Sequence, residues 1–135
     1  FKKVYTVNVS DESLANAKML NVGIDNIEYV PFDLYSNKSL NIQDASVFMI
    51  DAGHKYQQVI SDIHRCISMS VGNECYIIFD DYGMNTHEHD VKKAVDEFIN
   101  SNKIEIVKKI GLGEGYDFGD KFLKDSEGLI CRVVR

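Results

Sequence analysis

Short runs of apolar and β-branched residues alternate along the chain with longer segments in which apolar residues recur every three or four positions. The short runs predict β-strands, and the longer spacing predicts helices that pack one side against a sheet. The predicted strands are Lys3–Val9, Ile27–Val30, Val47–Ile50, Cys75–Phe79, Ile104–Ile110 and Leu129–Val134. Their alternation with helices predicts an α/β fold with a mostly parallel sheet and helices on both faces.

Three segments between the strands have helical character. The first follows Ser10, a good helix cap, and has acidic residues in its first turn. The second has the clearest apolar stripe, made of Tyr56, Val59, Ile60, Ile63 and Ile67. The third carries Val91, Ala94, Val95, Phe98 and Ile99. The continuous apolar run Val47–Ile50 is moreover typical of a strand buried on both faces.

Length and charge narrow the class of protein. A chain of 135 residues with 44% hydrophobic content predicts one globular domain over residues 1–135. The formal net charge of -6 argues against nucleic acid or an anionic membrane as partner, and favours a small polar or cationic ligand. No apolar run approaches the ~18 residues of a membrane helix.

The cysteines indicate a reducing compartment. The three are Cys66, Cys75 and Cys131, an odd number without CxxC spacing, and each lies within an apolar run. This pattern suggests neither a zinc site nor a disulfide framework. We therefore expect reduced core thiols and a cytoplasmic protein.

Asp51 and His54 form the first candidate site. Asp51 ends the run Val47–Ile50, and His54 follows three residues later, so a carboxylate and an imidazole share one strand exit. In open α/β sheets ligands bind outside the carboxyl ends of the strands, which gives polar residues there more weight. The alternative is that Asp51 caps the following helix and that His54 is a solvated residue of its first turn.

Asp80 and Asp81 form the second candidate site, at the end of Cys75–Phe79. Two adjacent carboxylates repel each other unless a cation or proton lies between them, although aspartate is also common in turns. Because Asp51 ends a neighbouring or nearly neighbouring strand, the three carboxylates can converge on one oxygen-ligated ion. Mg²⁺ or Mn²⁺ is the expected choice.

Two further motifs are weaker. His87 and His89 lie beyond this loop and could join the carboxylates in a metal-dependent hydrolase, but a spacing of two is not specific, and they also suit a helix start near Thr86. The glycines between Gly111 and Gly119 follow a strand without opening a helix, so they predict a hairpin or lid rather than a phosphate-binding loop.

The chain resembles a known family in two blocks. Phe48-Met49-Ile50-Asp51-Ala52-Gly53-His54-Lys55-Tyr56 resembles the F-I-D-G-x-H-x-Y strand and turn of a group of class I methyltransferases that includes macrocin-type sugar O-methyltransferases. The run Ile77-Ile78-Phe79-Asp80-Asp81-Tyr82 and the helix segment 91–98 resemble the next strand and helix of that group. The resemblance implies a Rossmann-like methyltransferase sheet whose final strand is antiparallel.

The resemblance also implies a reaction and a set of roles. It implies that S-adenosylmethionine donates a methyl group to a hydroxyl of a small-molecule or glycan acceptor, such as a sugar. Asp51, Asp80 and Asp81 would hold Mg²⁺, with His54 as general base and Asp51 beside it. Asn8 and Asp33 would contact the ribose and adenine of the cofactor, although the family has a carboxylate where this chain has Asn8. A homo-oligomer is compatible with these roles.

One element of the family pattern is not found in these residues. The family's first strand and its glycine-rich loop, which holds the methionine end of the cofactor, would precede Lys3. We therefore expect upstream residues that supply a strand between Lys3–Val9 and Val47–Asp51. A metal-dependent hydrolase and a catalytically silent interaction domain of the same fold remain alternatives.

Overall fold

The computed structural model describes residues 1–36, 38–72, 74–84, 90–111 and 126–135. Its chain divides into two units, Phe1–Asn41 and Ile42–Arg135. In the described ranges no helix combines the length and the apolar character needed to cross a bilayer.

The first unit is a βαβ arrangement. Strand β1 (Val4–Asn8), helix α1 (Asp11–Leu20) and strand β2 (Ile27–Pro31) follow in order, and the two strands pair in parallel. Ser10 is the N-cap of α1, as predicted, because its hydroxyl oxygen accepts from the Ser13 N–H at 3.2 Å. Strand β2 includes Pro31, opposite Asn8, and so ends one residue later than predicted.

The second unit contains a four-stranded sheet in the order β3-β4-β6-β5. Its elements are β3 (Val47–Ile50), α2 (Tyr56–Met69), β4 (Tyr76–Phe79), α3 (Val91–Asn100), β5 (Ile104–Ile110) and β6 (Gly128–Val133). Strands β3 and β4 are parallel, and β6 is antiparallel to both β4 and β5. The predicted antiparallel final strand is therefore confirmed, and it lies inside the sheet.

The core of this unit lies where α2 and α3 pack with the sheet. The apolar stripes predicted from sequence supply it, because Val59 and Ile63 of α2 and Ala94, Val95 and Phe98 of α3 are all buried. Ile77 and Phe79 of β4 and Leu129 and Cys131 of β6 complete the same cluster. Helical spacing thus predicted which side of each helix is buried.

Strand β3 differs from the expectation of burial on both faces. The side chains of Val47 and Met49 are 38% and 66% exposed, whereas Phe48 and Ile50 are half-buried and pack against the core. The physical reason is that β3 lies at the edge of its four-stranded sheet, where it pairs with β4. The upstream strand expected beside β3 stays a prediction, as does the single-domain organisation.

The predicted core thiols are confirmed, because Cys66, Cys75 and Cys131 are all buried and unbridged. Burial raises the pKa of each thiol, for Cys131 from 9.0 to about 12. Each thiol is consequently protonated at neutral pH, which makes it a poor nucleophile.

We expect these thiols to lower the alkaline stability of the fold. In the unfolded chain they lose their protons near pH 9, whereas folded Cys131 keeps its proton to about pH 12. Unfolding therefore releases protons between these values, and the free energy of unfolding falls as the pH rises through this window. Urea titrations from pH 8 to pH 11 should show this decline, with a shallower slope for Cys131→Ala than for the wild type. Equal slopes would contradict the assignment.

Candidate functional site

The site is built on the carboxyl ends of two parallel strands. Ile50 of β3 lies opposite Phe79 of β4, so Asp51 and Asp80 leave the sheet at the same level. The Asp80 N–H donates to the Ile50 carbonyl at 3.1 Å, which continues the ladder one residue past the strands. The sequence prediction that both acidic ends share one edge is thereby confirmed.

Three of the predicted side chains converge at this edge. Asp51, His54 and Asp81 each place one potential ligand atom so that all three atoms lie within 4.8 Å of one another. His54 Nε2 lies 3.1 Å from Asp81 Oδ2, within ion-pair distance. Asp51 is exposed, whereas His54 and Asp81 are half-buried, so the group faces solvent on one side.

The helix that follows does not use Asp51 as its cap. Helix α2 begins at Tyr56 with Lys55 as N-cap, and the Lys55 N–H donates to Gln58 Oε1 at 3.3 Å. His54 therefore precedes the helix, whereas the sequence placed it at the helix start. The capping interpretation of Asp51 is wrong, which leaves its carboxylate available to the group at the sheet edge.

Asp81 has an unusual backbone conformation. Its φ is +53°, in the left-handed region that aspartate tolerates better than most residues. The Met84 N–H donates to the Asp81 carbonyl at 3.1 Å, which closes a tight turn over residues 81–84. This turn directs Asp81, rather than Asp80, toward His54.

The same turn is held against the segment that leads into β6. The Gly83 N–H donates to the Glu127 carbonyl at 3.2 Å. A Cβ atom on Gly83 would lie 2.2 Å from the Ser126 carbonyl oxygen, so the close approach of the two backbones requires glycine there. The position of the Asp81 turn thus depends on its contact with the backbone of Ser126 and Glu127.

Asp80 has a different place from the other predicted metal ligands. Its backbone extends the β3–β4 ladder, and its side chain is half-buried. The group of ligand atoms found within the described ranges contains Asp51, His54 and Asp81 and does not include Asp80. Its predicted role as a ligand stays a prediction.

The donor set fits a divalent cation. The three potential ligand atoms lie within 4.8 Å of one another, which is near the ~4.2 Å that separates opposite ligands of an ion bound at ~2.1 Å. Two carboxylates suit Mg²⁺ or Mn²⁺, and an imidazole suits transition metals. Asp51 and Asp81 would hold the ion.

A group that the sequence did not indicate supports the Asp81 turn from the side of α3. The Tyr82 hydroxyl donates to Asp96 Oδ1 at 2.7 Å, and Lys92 Nζ donates to the Tyr82 hydroxyl oxygen at 2.7 Å and to Asp96 Oδ2 at 3.0 Å. We call these three residues the Tyr82 triad. In the sequence, only the spacing of Lys92 and Asp96, four residues apart on a predicted helix, could have suggested an ion pair between these two residues.

The pKa shifts of Tyr82 and Lys92 determine the charges within the triad. Burial raises the pKa of the Tyr82 hydroxyl. Burial alone would lower the pKa of Lys92, but its hydrogen bonds to Tyr82 and Asp96 outweigh that effect and raise it. The tyrosine is therefore neutral and the lysine charged at neutral pH.

Helix α3 also holds the loop that carries His54. The Asp90 N–H, at the start of α3, donates to the His54 carbonyl at 2.8 Å. The Tyr56 hydroxyl donates to Glu97 on the same helix, which raises the pKa of that hydroxyl. Both loops of the site are thus tied to one helix.

The two residues predicted to contact the cofactor lie in the first unit, at the carboxyl edge of β1 and β2. Asn8 Oδ1 accepts from the Ser10 N–H at 2.8 Å, and Asp33 Oδ1 accepts from the Tyr35 N–H at 2.8 Å. Both side chains are exposed and make local turn contacts. Their roles in binding stay predictions.

Several sequence motifs lie outside the described residues. They are Thr86, His87, His89 and the glycines at 113, 115 and 119. The hydrolase ligand set that includes His87 and His89 therefore stays untested.

Comparison with solved structures places this architecture among known folds. The N-methyltransferase NodS from Bradyrhizobium japonicum WM9 matches over 99% of this chain and 75% of its own, with a TM-score of 0.67 and 14% identity. An rRNA methylase from Streptococcus thermophilus covers 99% and 75%, with a TM-score of 0.58 and 13% identity. The O-methyltransferase NovP covers 93% and 46%, with a TM-score of 0.56 and 18% identity. The chain has a methyltransferase fold. 

The predicted fold class is therefore confirmed. At these identities the likeness shows the fold alone, so it does not assign a reaction or a substrate to the chain. No family model matches the sequence, and no curated protein matches it. The resemblance to the macrocin-type group consequently rests on the two sequence blocks alone and stays a prediction.

Proposed function

We propose that the chain transfers a methyl group from S-adenosylmethionine to a hydroxyl of a sugar or similar small polyol. The observation that carries the proposal is the convergence of Asp51, His54 and Asp81 at the carboxyl edge of β3 and β4. This edge is where α/β sheets bind ligands. The methyltransferase fold supports the cofactor, since NodS was solved in complex with S-adenosylhomocysteine.

His54 is the proposed general base. It removes the proton of the acceptor hydroxyl as the oxygen forms its bond to the methyl carbon and the carbon–sulfur bond breaks, leaving neutral S-adenosylhomocysteine. Asp81, 3.1 Å from Nε2, stabilises the imidazolium that results. Alignment of oxygen, carbon and sulfur supplies much of the remaining acceleration.

Asp51 and Asp81 are the proposed ligands of a divalent cation such as Mg²⁺, with Asp80 as a further carboxylate at the same edge. When bound, the ion would hold the acceptor oxygen and lower its pKa. Asn8 and Asp33 remain the proposed contacts to the ribose and adenine.

Titration calorimetry with S-adenosylhomocysteine tests the proposal. We expect saturable binding to the purified protein, and radiolabelled methyl transfer to a panel of sugars and polyols when Mg²⁺ or Mn²⁺ is present. A metal-dependent hydrolase would bind the ion without any response to S-adenosylhomocysteine. An interaction domain without catalysis would show neither response. Either of these results would overturn the proposal.

A further inference from the structure

We propose that Tyr82, Lys92 and Asp96 act together as positioning residues that hold the Asp81 carboxylate opposite His54. The inference rests on the proposed function for its consequence in catalysis. Its structural content, the coupling of α3 to the His54–Asp81 pair, can be tested without any substrate.

The first step of the argument is the direct chain connection between the triad and the site. Tyr82 follows Asp81, and Asp81 has a left-handed backbone at φ +53°. Such a conformation persists in a non-glycine residue only when its surroundings fix it. A side chain fixed at Tyr82 limits rotation of the turn and thereby the direction of the Asp81 carboxylate.

The second step is the way in which Tyr82 is fixed. Its ring is buried, and its hydroxyl both accepts from Lys92 and donates to Asp96, each at 2.7 Å. Lys92 Nζ also lies 4.5 Å from the centre of the Tyr82 ring. A hydroxyl that serves as donor and acceptor in one charged group has a single favoured orientation.

The third step is that the same helix holds the opposite side of the pair. Asp90 precedes α3 and its N–H donates to the His54 carbonyl at 2.8 Å. One rigid helix therefore contacts the backbone of His54 at its start, through Asp90, and the Tyr82 hydroxyl about 1.7 turns later, at Asp96. The His54–Asp81 separation of 3.1 Å is accordingly set through α3.

The variants for the test are Tyr82→Phe, which keeps the ring, and Asp96→Asn. Lys92→Met removes the charge from a side chain that is 36% exposed, so this variant tests the triad even if a change at Tyr82 prevents folding. Lys92→Arg keeps the donors and should behave like the wild type. Tyr29→Phe is the matched control, since it removes a hydroxyl that contacts a backbone carbonyl in the first unit.

Two readouts separate positioning from general stability. We expect the ¹⁵N signals of the His54 imidazole, identified by their loss in His54→Ala, to shift in Tyr82→Phe, Asp96→Asn and Lys92→Met. We expect Mn²⁺ affinity, followed by electron paramagnetic resonance, to weaken about 10-fold in the same variants. Lys92→Arg and Tyr29→Phe should change neither.

A fall in melting temperature with unchanged imidazole signals and unchanged Mn²⁺ affinity would overturn the inference, because the triad would then only stabilise the fold. Wild-type protein that binds neither Mn²⁺ nor S-adenosylhomocysteine would instead contradict the proposed function. In that case the imidazole signals still decide whether the triad positions the His54–Asp81 pair.

Discussion

The His54→Ala variant is expected to transfer methyl groups about 10²-fold to 10⁴-fold more slowly in kcat, with unchanged affinity for S-adenosylhomocysteine. The physical reason is that the imidazole takes the proton of the acceptor as the new bond forms, so its loss affects the transition state. Single-turnover formation of S-adenosylhomocysteine measures the chemical step, and calorimetry measures the affinity.

His64→Ala provides the matched control for this experiment. His64 lies on α2, is exposed, and contacts Phe98 edge-on at 5.1 Å between ring centres. Its loss removes the same type of side chain from α2 and changes no member of the group at the sheet edge. Comparable rates for His54→Ala and wild type would remove His54 from the mechanism, whatever the affinity for the cofactor product.

The sequence predicted the elements of this fold well because their burial follows local periodicity. Of the stripe predicted on α2, Val59 and Ile63 are buried, and Tyr56, Ile60 and Ile67 are partly buried and pack against the same core. Strands β4 and β6 each lie within one residue of their predicted bounds. A local pattern predicts such elements because the backbone geometry of a helix or strand fixes the side of the element to which each side chain points.

The order of the strands and the exposure of β3 could not be predicted in this way. Strand β6 pairs between β4 and β5, although it comes last in the described chain. An apolar run such as Val47–Ile50 has the same pattern whether its strand lies inside a sheet or at its edge. Pairing between distant segments depends on tertiary contacts, which the sequence of a single strand does not indicate.

The positions of individual site residues were also only partly predictable from the sequence. Asp51, Asp80 and Asp81 were all expected to converge. The group of potential ligand atoms at the sheet edge instead consists of Asp51, His54 and Asp81, because the left-handed turn at Asp81 directs this residue, rather than Asp80, toward it. The Tyr82 triad depends on a contact between a turn and a helix. Such contacts follow from side-chain directions in three dimensions, and the sequence shows only the spacing of Lys92 and Asp96, four residues apart.

Asp51→Asn and Asp81→Asn are each expected to weaken Mn²⁺ binding at least 10-fold and to lower methyl transfer in parallel. Each substitution removes one of the two carboxylates in the ligand group, and a neutral amide oxygen is a weaker ligand for a hard cation. Chelation of the wild type with EDTA should abolish activity, and added Mg²⁺ or Mn²⁺ should restore it. Metal affinity by electron paramagnetic resonance and initial rates measure the two effects.

Two further aspartate variants distinguish between the explanations for a loss of metal affinity. Asp25→Asn, an exposed residue of the first unit, makes the same change in net charge and should leave metal affinity unchanged. Asp80→Asn distinguishes a three-carboxylate site, in which it weakens binding as much as Asp81→Asn, from a site made by Asp51 and Asp81, in which it has a smaller effect. Activity that survives complete chelation would exclude metal assistance, and alignment of the reactants with His54 as base would then have to account for the rate.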